Sequence, residues 1–204
     1  MFKNILVEKL LENYSDAHKL AQRNAALPIE KGGLGLHPEN TAHDRAKAMG
    51  YHTKLYRGTP YPEDSSLKVR RVDNGEYGIF ASSSPHVASK YAMATGRHNV
   101  RDSKTFSPKV IPIMAKIENP IETDYNGKDK KGNELSNMLH HVKYDDINGE
   151  YSHDAVIAKN LVDDPHNNEY GVSSDIYSLL KPKNIRSIHA AFDPMKKDSD
   201  DILS

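Results

Sequence analysis

The stretch Gly78-Ile79-Phe80-Ala81-Ser82-Ser83-Ser84-Pro85-His86-Val87-Ala88-Ser89-Lys90-Tyr91 constrains the fold more than any other. It reads as a short buried strand that runs through a serine cluster straight into a helix. Ser84 suits an N-cap, and Pro85 suits the first helical position. Val87, Ala88 and Tyr91 fall on one helical face. Hydroxyls at such a corner lie beside the amide N–H groups at the positive end of a helix dipole, where a nucleotide's ribose or phosphates could be held. The corner is equally readable as a capped helix with no ligand.

Around that corner the pattern is one of short, irregularly spaced strands mixed with short helices, which predicts an α+β fold. Phe2, Ile5, Leu6, Leu10 and Tyr14 repeat at helical spacing, and Ala17, Leu20, Ala21 and Ala25 extend the pattern until Pro28 stops it. We expect residues 1–32 to be an N-terminal helical appendage closed by a flexible joint at Lys31–Leu36. Thr41 and Asp44 form a capping pair for a short helix that Gly50 ends. Leu55 and Tyr56 begin the first core strand, Tyr77–Ala81 is the second, and a helix follows over Pro85–Ala94. Val110–Ile117 alternates as a half-buried strand, with Pro112 requiring an edge or a bulge. Further expectations are a helix from about Glu134 to Val142 and strands at Ala155–Ala158 and Ile176–Leu180. Asp163–Ser174 reads as loop, Asn184–Ser187 as a turn, and Ile188–Phe192 as a last strand. Residues 195–204 form a charged tail expected to fray.

Composition excludes several classes. Lys plus Arg and Asp plus Glu number 28 each among 204 residues, so no net basic field favours non-specific nucleic-acid binding. No cysteine is present, which removes disulfides, thiolate catalysis and Cys-based zinc sites together. Eleven histidines occur without an HExxH-type frame, and the adjacent pair His140-His141 would diverge on a helix. No apolar run approaches membrane-span length, and the expectation is a soluble cytoplasmic protein.

A family resemblance rests on several short motifs taken in order. They are Leu55-Tyr56-Arg57-Gly58-Thr59, Gly78 to Pro85 through Tyr91-Ala92, His153-Asp154-Ala155-Val156-Ile157, and Ile176-Tyr177 before Asn184-Ile185-Arg186-Ser187. This order resembles the ADP-ribosyltransferases, most closely the ADP-ribosyltransferase-like domains of phage and polyvalent bacterial proteins. Those domains often begin with a segment similar to Asn40–Gly50 and end with one similar to Ala190-Ala191-Phe192-Asp193-Pro194. The likeness spans residues 33–194 and lies in the order of the motifs rather than in any one of them.

The resemblance implies a split core of two small sheets around a cleft that grips NAD as substrate. It places Arg57, Gly58, Thr59, Phe80, Ser82, Ser83, Ser84 and Tyr91 around that molecule. Arg57 would hold its phosphates or ribose through bidentate, charge-assisted bonds, a task a guanidinium suits. Ser82–Ser84 would orient the nicotinamide ribose, Tyr91 would stack on nicotinamide, and His153 and Asp154 would be structural. The implied activity is transfer of ADP-ribose to a host protein or nucleic acid, with a carboxylate stabilising the cationic transition state. An ungapped correspondence puts that acid's position on Ile176. The nearby acids Asp175 and Glu169 are therefore the candidates, with Asp175 preferred and expected to need a bulge near Ser173-Ser174 to reach the cleft. Two other readings are an inactive relative that binds NAD or a protein partner, and a metal-independent nuclease using His86, His153 and His189.

Overall fold

Two close approaches that only glycine permits shape the sheet. The computed structural model describes residues 15–60, 78–93, 106–128, 142, 144–145, 150–163 and 172–204. In chain order these form α1 (15–26), α2 (Ala42–Ala48), β1 (Thr53–Thr59), β2 (Ile79–Ser82), α3 (Pro85–Met93), β3 (Lys109–Ala115), β4 (Pro120–Asp124), β5 (Tyr144–Asp145), β6 (Glu150–Tyr151), β7 (Ala155–Val162), β8 (Ser173–Leu179) and β9 (Ile185–Ser187). A Cβ at Gly58 in β1 would lie 1.8 Å from the carbonyl oxygen of Ala88, so α3 rests backbone to backbone on the strand. Gly78, at φ +117° just before β2, leaves no room for a Cβ beside the Ser178 hydroxyl, 2.2 Å away.

The fold is α+β, built on a seven-stranded mixed sheet in the order β4-β7-β8-β2-β1-β3-β9, with β5 and β6 forming a separate ladder. Only β4 and β7 run parallel; every other neighbouring pair is antiparallel. The joint between β1 and β2 is slight: Tyr56 and Ser82 are its one register pair, whereas β1 matches β3 along its whole length, from Thr53↔Ala115 to Thr59↔Lys109. The sheet therefore consists of two halves hinged at one pair. Pro112 sits where β3's second ladder stops. The β3–β9 register begins at Ile113↔Ser187, and the Pro112 carbonyl accepts from Ile188 N at 3.4 Å, so its missing N–H faces the side beyond β9.

Alternation along the strands divides the core. One face carries Leu55, Ile79, Ala81, Ile113, Ala155, Ile157, Tyr177, Leu179 and Ile185. The other carries Val156, Ala158, Leu161 and Ile176, which pack with Val87 of α3 and with Leu180. Asp154, which the resemblance makes structural, is buried and accepts from the backbone N–H groups of Glu118 and Asn119, so it holds the turn between β3 and β4. Thr41 and Asp44 form the expected reciprocal cap of α2.

Several local expectations are corrected. Ile185–Ser187, read as a turn, is the last strand, and Ile188–Phe192, read as a strand, is not one. Ala190 and Phe192 are instead buried in a cluster with Ala46 of α2 and Tyr51, against which Met114 of β3 also packs, and Ala191 is buried beside them. The tail does not fray: Ser187 N, Ala191 N and Phe192 N donate to the carbonyls of Ile202, Leu203 and Ser204. Residues that leave the sheet still need backbone acceptors, and the tail supplies them. β4 carries no strand signal: Glu122, Thr123 and Asp124 are all exposed and lack apolar alternation. β8 starts at Ser173, inside what reads as loop.

The helix over 15–26 buries Ala21 and Ala25 completely, and Asn24 Nδ2 donates to both carboxylate oxygens of Asp193 at 3.0 and 3.1 Å. The Lys31–Leu36 stretch, expected as a joint, folds back on that helix: Leu34 N and Leu36 N both donate to Ala25 O. The helix expected near 134–141 and the earlier part of the N-terminal helix lie outside the described residues. No helix among the described residues is long and apolar enough to cross a membrane.

The Gly58 contact yields a direct test. Gly58→Ala forces a methyl into the α3 backbone and should cost ~3 kcal/mol or more, roughly 6–12 °C of Tm for a chain of this length. Thermal unfolding monitored by circular dichroism measures it, and a loss below about 1 kcal/mol would mean that α3 is not seated on β1 as described.

Candidate functional site

The hinge between the two half-sheets gathers most of the residues that the sequence singles out, but distributes them over two faces. Cross-strand partners share a face. Arg57 pairs with Ile111 and follows Leu55 on the face of the larger core cluster. Ala81 pairs with Tyr177 on that same face, and Asp175 lies two residues before Tyr177. Ser82 pairs with Ile176 on the opposite face, under α3, where Gly58 also lies.

On the first face, the Arg57 guanidinium donates to the Phe80 carbonyl at 3.3 Å and so bridges the hinge with a side chain where the strands share only one pair. Ser83 and Asp175 extend the β2–β8 ladder by one step. Ser83 N donates to Asp175 O at 2.9 Å, and Asp175 N donates to Ser83 Oγ at 3.0 Å. Opposite Asp175, β7 has two residues, Lys159 and Asn160, between the pairs Ala158↔Ile176 and Leu161↔Ser174. The bulge expected beside Asp175 is therefore in β7, not in β8. Asn160 adopts φ +51°, a left-handed conformation that asparagine tolerates, and its N–H donates to Asp175 Oδ1 at 2.9 Å. Oδ2 of Asp175 meets no donor among the described residues, and the side chain is only half-buried. One carboxylate oxygen is thus anchored and the other is open to an incoming hydroxyl.

Charged neighbours surround this carboxylate. Lys159 Nζ bonds Glu122, which raises the ammonium's pKa, with smaller contributions from the charges of Asp175 and Asp124. Asn160 Nδ2 donates to both oxygens of Asp124, whose carboxyl is held below its usual value first by the Asn126 N–H and then by Asn160. Burial, followed by the negative charges of Asp175 and Glu122, pushes the Tyr177 phenol above its ordinary pKa. Tyr177 is thus a member of this face whose role sequence reasoning missed. Its alternation with Asp175 was the available signal.

The second face is occupied by structure. Ser82 Oγ lies 3.1 Å from Ser174 Oγ and accepts from Ser84 N at 3.0 Å, while Ser84 Oγ caps α3 through Val87 N at 3.4 Å. Ile176 is 4 % exposed and packs in the cluster beneath α3, so the position to which the resemblance assigns the acid does not face Arg57. The Tyr91 hydroxyl donates to Asp163 Oδ2 at 2.5 Å, which ties the ring expected to stack on nicotinamide to a buried carboxylate at the end of β7. Phe80 is partly buried against the same cluster, and Thr59 is buried at the end of β1. Glu169 lies outside the described residues. His86, His153 and His189 sit at the start of α3, before β7 and after β9 respectively, on three separate elements. No group of three or more acidic or histidine side chains among the described residues could hold a metal ion.

The two causes of the Tyr177 shift can be separated. In Asp175→Asn the phenol should titrate lower than in the parent chain yet still above the ordinary value of ~10, since burial leads and the charge adds to it. The tyrosine 13Cζ resonance followed against pH reads this directly, and an unmoved titration would separate Asp175 from Tyr177. Comparison of the chain with protein-family models, with curated proteins and with solved structures finds no match in any of the three.

Proposed function

We propose that the chain is an ADP-ribosyltransferase-like domain that takes NAD at the hinge face carrying Arg57, Ser83 and Asp175. The observation that carries this reading is their common placement: a guanidinium and a half-open carboxylate share one sheet face beside the single β1–β2 pair. The two halves joined at one pair agree with the split core that the motif order implies, and the serine corner lies beside that joint. Arg57 supplies positive charge for the pyrophosphate or ribose. Asp175 Oδ2 accepts from the ribose 2′-OH and stabilises positive charge as the bond from C1′ to the nicotinamide nitrogen breaks. The electron pair leaves with nicotinamide, and a nucleophile of the acceptor, a host protein or nucleic acid, attacks C1′. Asp175 replaces the position at Ile176 as the acid because it lies on the same face as Arg57.

The burial of Ile176 favours a second reading, in which the domain binds NAD or a partner without turnover. Two variants separate the readings. Arg57→Ala should weaken NAD binding roughly ten- to a hundredfold, the loss of one charge-assisted contact. Asp175→Asn keeps an oxygen for the Asn160 N–H and so keeps the bulge, while removing the charge. It should leave NAD affinity within about threefold and lower transfer of labelled ADP-ribose by about 100-fold or more. Calorimetry and label transfer measure the two effects. Binding that depends on Arg57 with no transfer by the parent chain supports the second reading, and affinity unchanged in Arg57→Ala sinks both.

A further inference from the structure

Arg45 is a buried cation whose donors are only partly used. It is 2 % exposed, its Nε–H donates to Ala191 O at 2.8 Å, and its Nη1 donates to the carbonyl and side-chain oxygens of Asn40 at 3.2 and 2.9 Å. A guanidinium has five N–H donors, so the two on Nη2 remain, and they meet no acceptor among the described residues. The three acceptors are neutral oxygens, and no carboxylate among the described residues forms an ion pair with Arg45. Burial lowers the pKa of the group, with Asp193 and Asp44 only partly offsetting that effect from a distance.

Arg45 also lines a depression of about 240 Å³ between α1 and α2, together with Ser15, His18, Lys19, Gln22 and Thr41. No carboxylate side chain among the described residues lines it. Asp16 approaches Lys19 at 3.7 Å, but both side chains are largely exposed and such a pair is weak. Asp44 is occupied by the Thr41 cap. His18 is oriented by its Nε2 contact with the His189 carbonyl at 3.2 Å. The depression therefore has a buried cationic wall, an ammonium at its edge, hydroxyl and amide groups around it, and no anionic group among the described residues.

We infer that this depression binds a small phosphoryl-type oxyanion, with Arg45 as its buried charge and Lys19 as its exposed one. Donors arriving from two helices at different angles suit a tetrahedral group with three oxygens better than a planar carboxylate. An anion there would meet a guanidinium that has no contacting counter-charge and whose Nη2 group still reaches solvent. The site is built from residues other than Arg57, Ser83 and Asp175, so it stands or falls separately from the NAD reading.

The test uses the full chain and inorganic phosphate, titrated at constant ionic strength against acetate. Phosphate should produce saturable amide shifts confined to residues 15–22 and 40–45 in 1H–15N spectra, with acetate at least tenfold weaker. Lys19→Glu should reduce phosphate affinity at least tenfold while the urea midpoint stays unchanged, because Lys19 is exposed. His18→Gln provides a second variant, expected to weaken binding severalfold. No saturation below about 50 mM phosphate, equal binding of acetate, or an unchanged affinity in Lys19→Glu would each overturn the proposal.

Discussion

The seating of α3 on β1 at Gly58 is the contact on which the candidate site depends. A helix that approaches a strand to backbone distance pins the chain between β2 and α3, because only Ser83 and Ser84 separate them. Beside that contact β1 pairs with β2 at one position only, while its ladder with β3 runs unbroken through Gly58. What remains of the interface is bridged by the Arg57 guanidinium on the Phe80 carbonyl, a side-chain bond standing in for a backbone one. A sheet interrupted in this way leaves polar groups outside its ladders at its middle as well as at its rim. That is where a ligand can meet main-chain and side-chain donors together.

A second constraint acts at the other end of the molecule through two buried arginines. Arg45 binds Asn40 and Ala191, and Arg186 gives its N–H groups to the carbonyls of Lys183, Ile185, Lys196 and Lys197, with its guanidinium 5.7 Å from the Tyr51 ring centre. Neither has a contacting carboxylate among the described residues, so both work by tying together carbonyls that would otherwise be buried without donors. Tyr51 and Phe192 meet edge to face between them at 5.3 Å. Phe192 holds φ +53°, uncommon for a large side chain, and its neighbours Ala191 and Asp193 are fixed by Arg45 and Asn24. The segment that reads as a terminal strand is thus a bent, hydrogen-bonded plug.

These two constraints explain which parts of the fold were legible. The Thr41–Asp44 cap, the Pro85 helix start and the core strands β1, β2, β3, β7 and β8 each carry a local signal, in cap chemistry or in apolar alternation, and each lies close to where that signal puts it. β9 and the tail were misread because Ala190-Ala191-Phe192 shows the apolar run of a strand while its partners are α2 and residues 202–204. Periodicity reports burial but not what does the burying. The same limit applies at the site. Arg57, Gly58 and the serines were visible as motifs, yet their division between two faces follows from the register Tyr56↔Ser82 and Ser82↔Ile176, which no local pattern encodes. The Asn160 bulge had a faint signal, an asparagine breaking the run after Ala158, and it went unread.

That bulge reconciles two opposed demands that the proposed role places on Asp175. A carboxylate used in chemistry must be accessible, whereas a residue inside a ladder is usually committed to packing. Two residues of β7 facing one of β8 leave an N–H, that of Asn160, without a strand partner, and Asp175 Oδ1 takes it. The bond fixes the side chain's direction while using one oxygen of the two. In a regular β7 that N–H would bond within the ladder, and Asp175 Oδ1 would lack this donor. Irregularity in one strand therefore sets the orientation of the acid in the next, and Ser83, bonded to the Asp175 backbone on the other side, fixes where that acid stands relative to the serine corner.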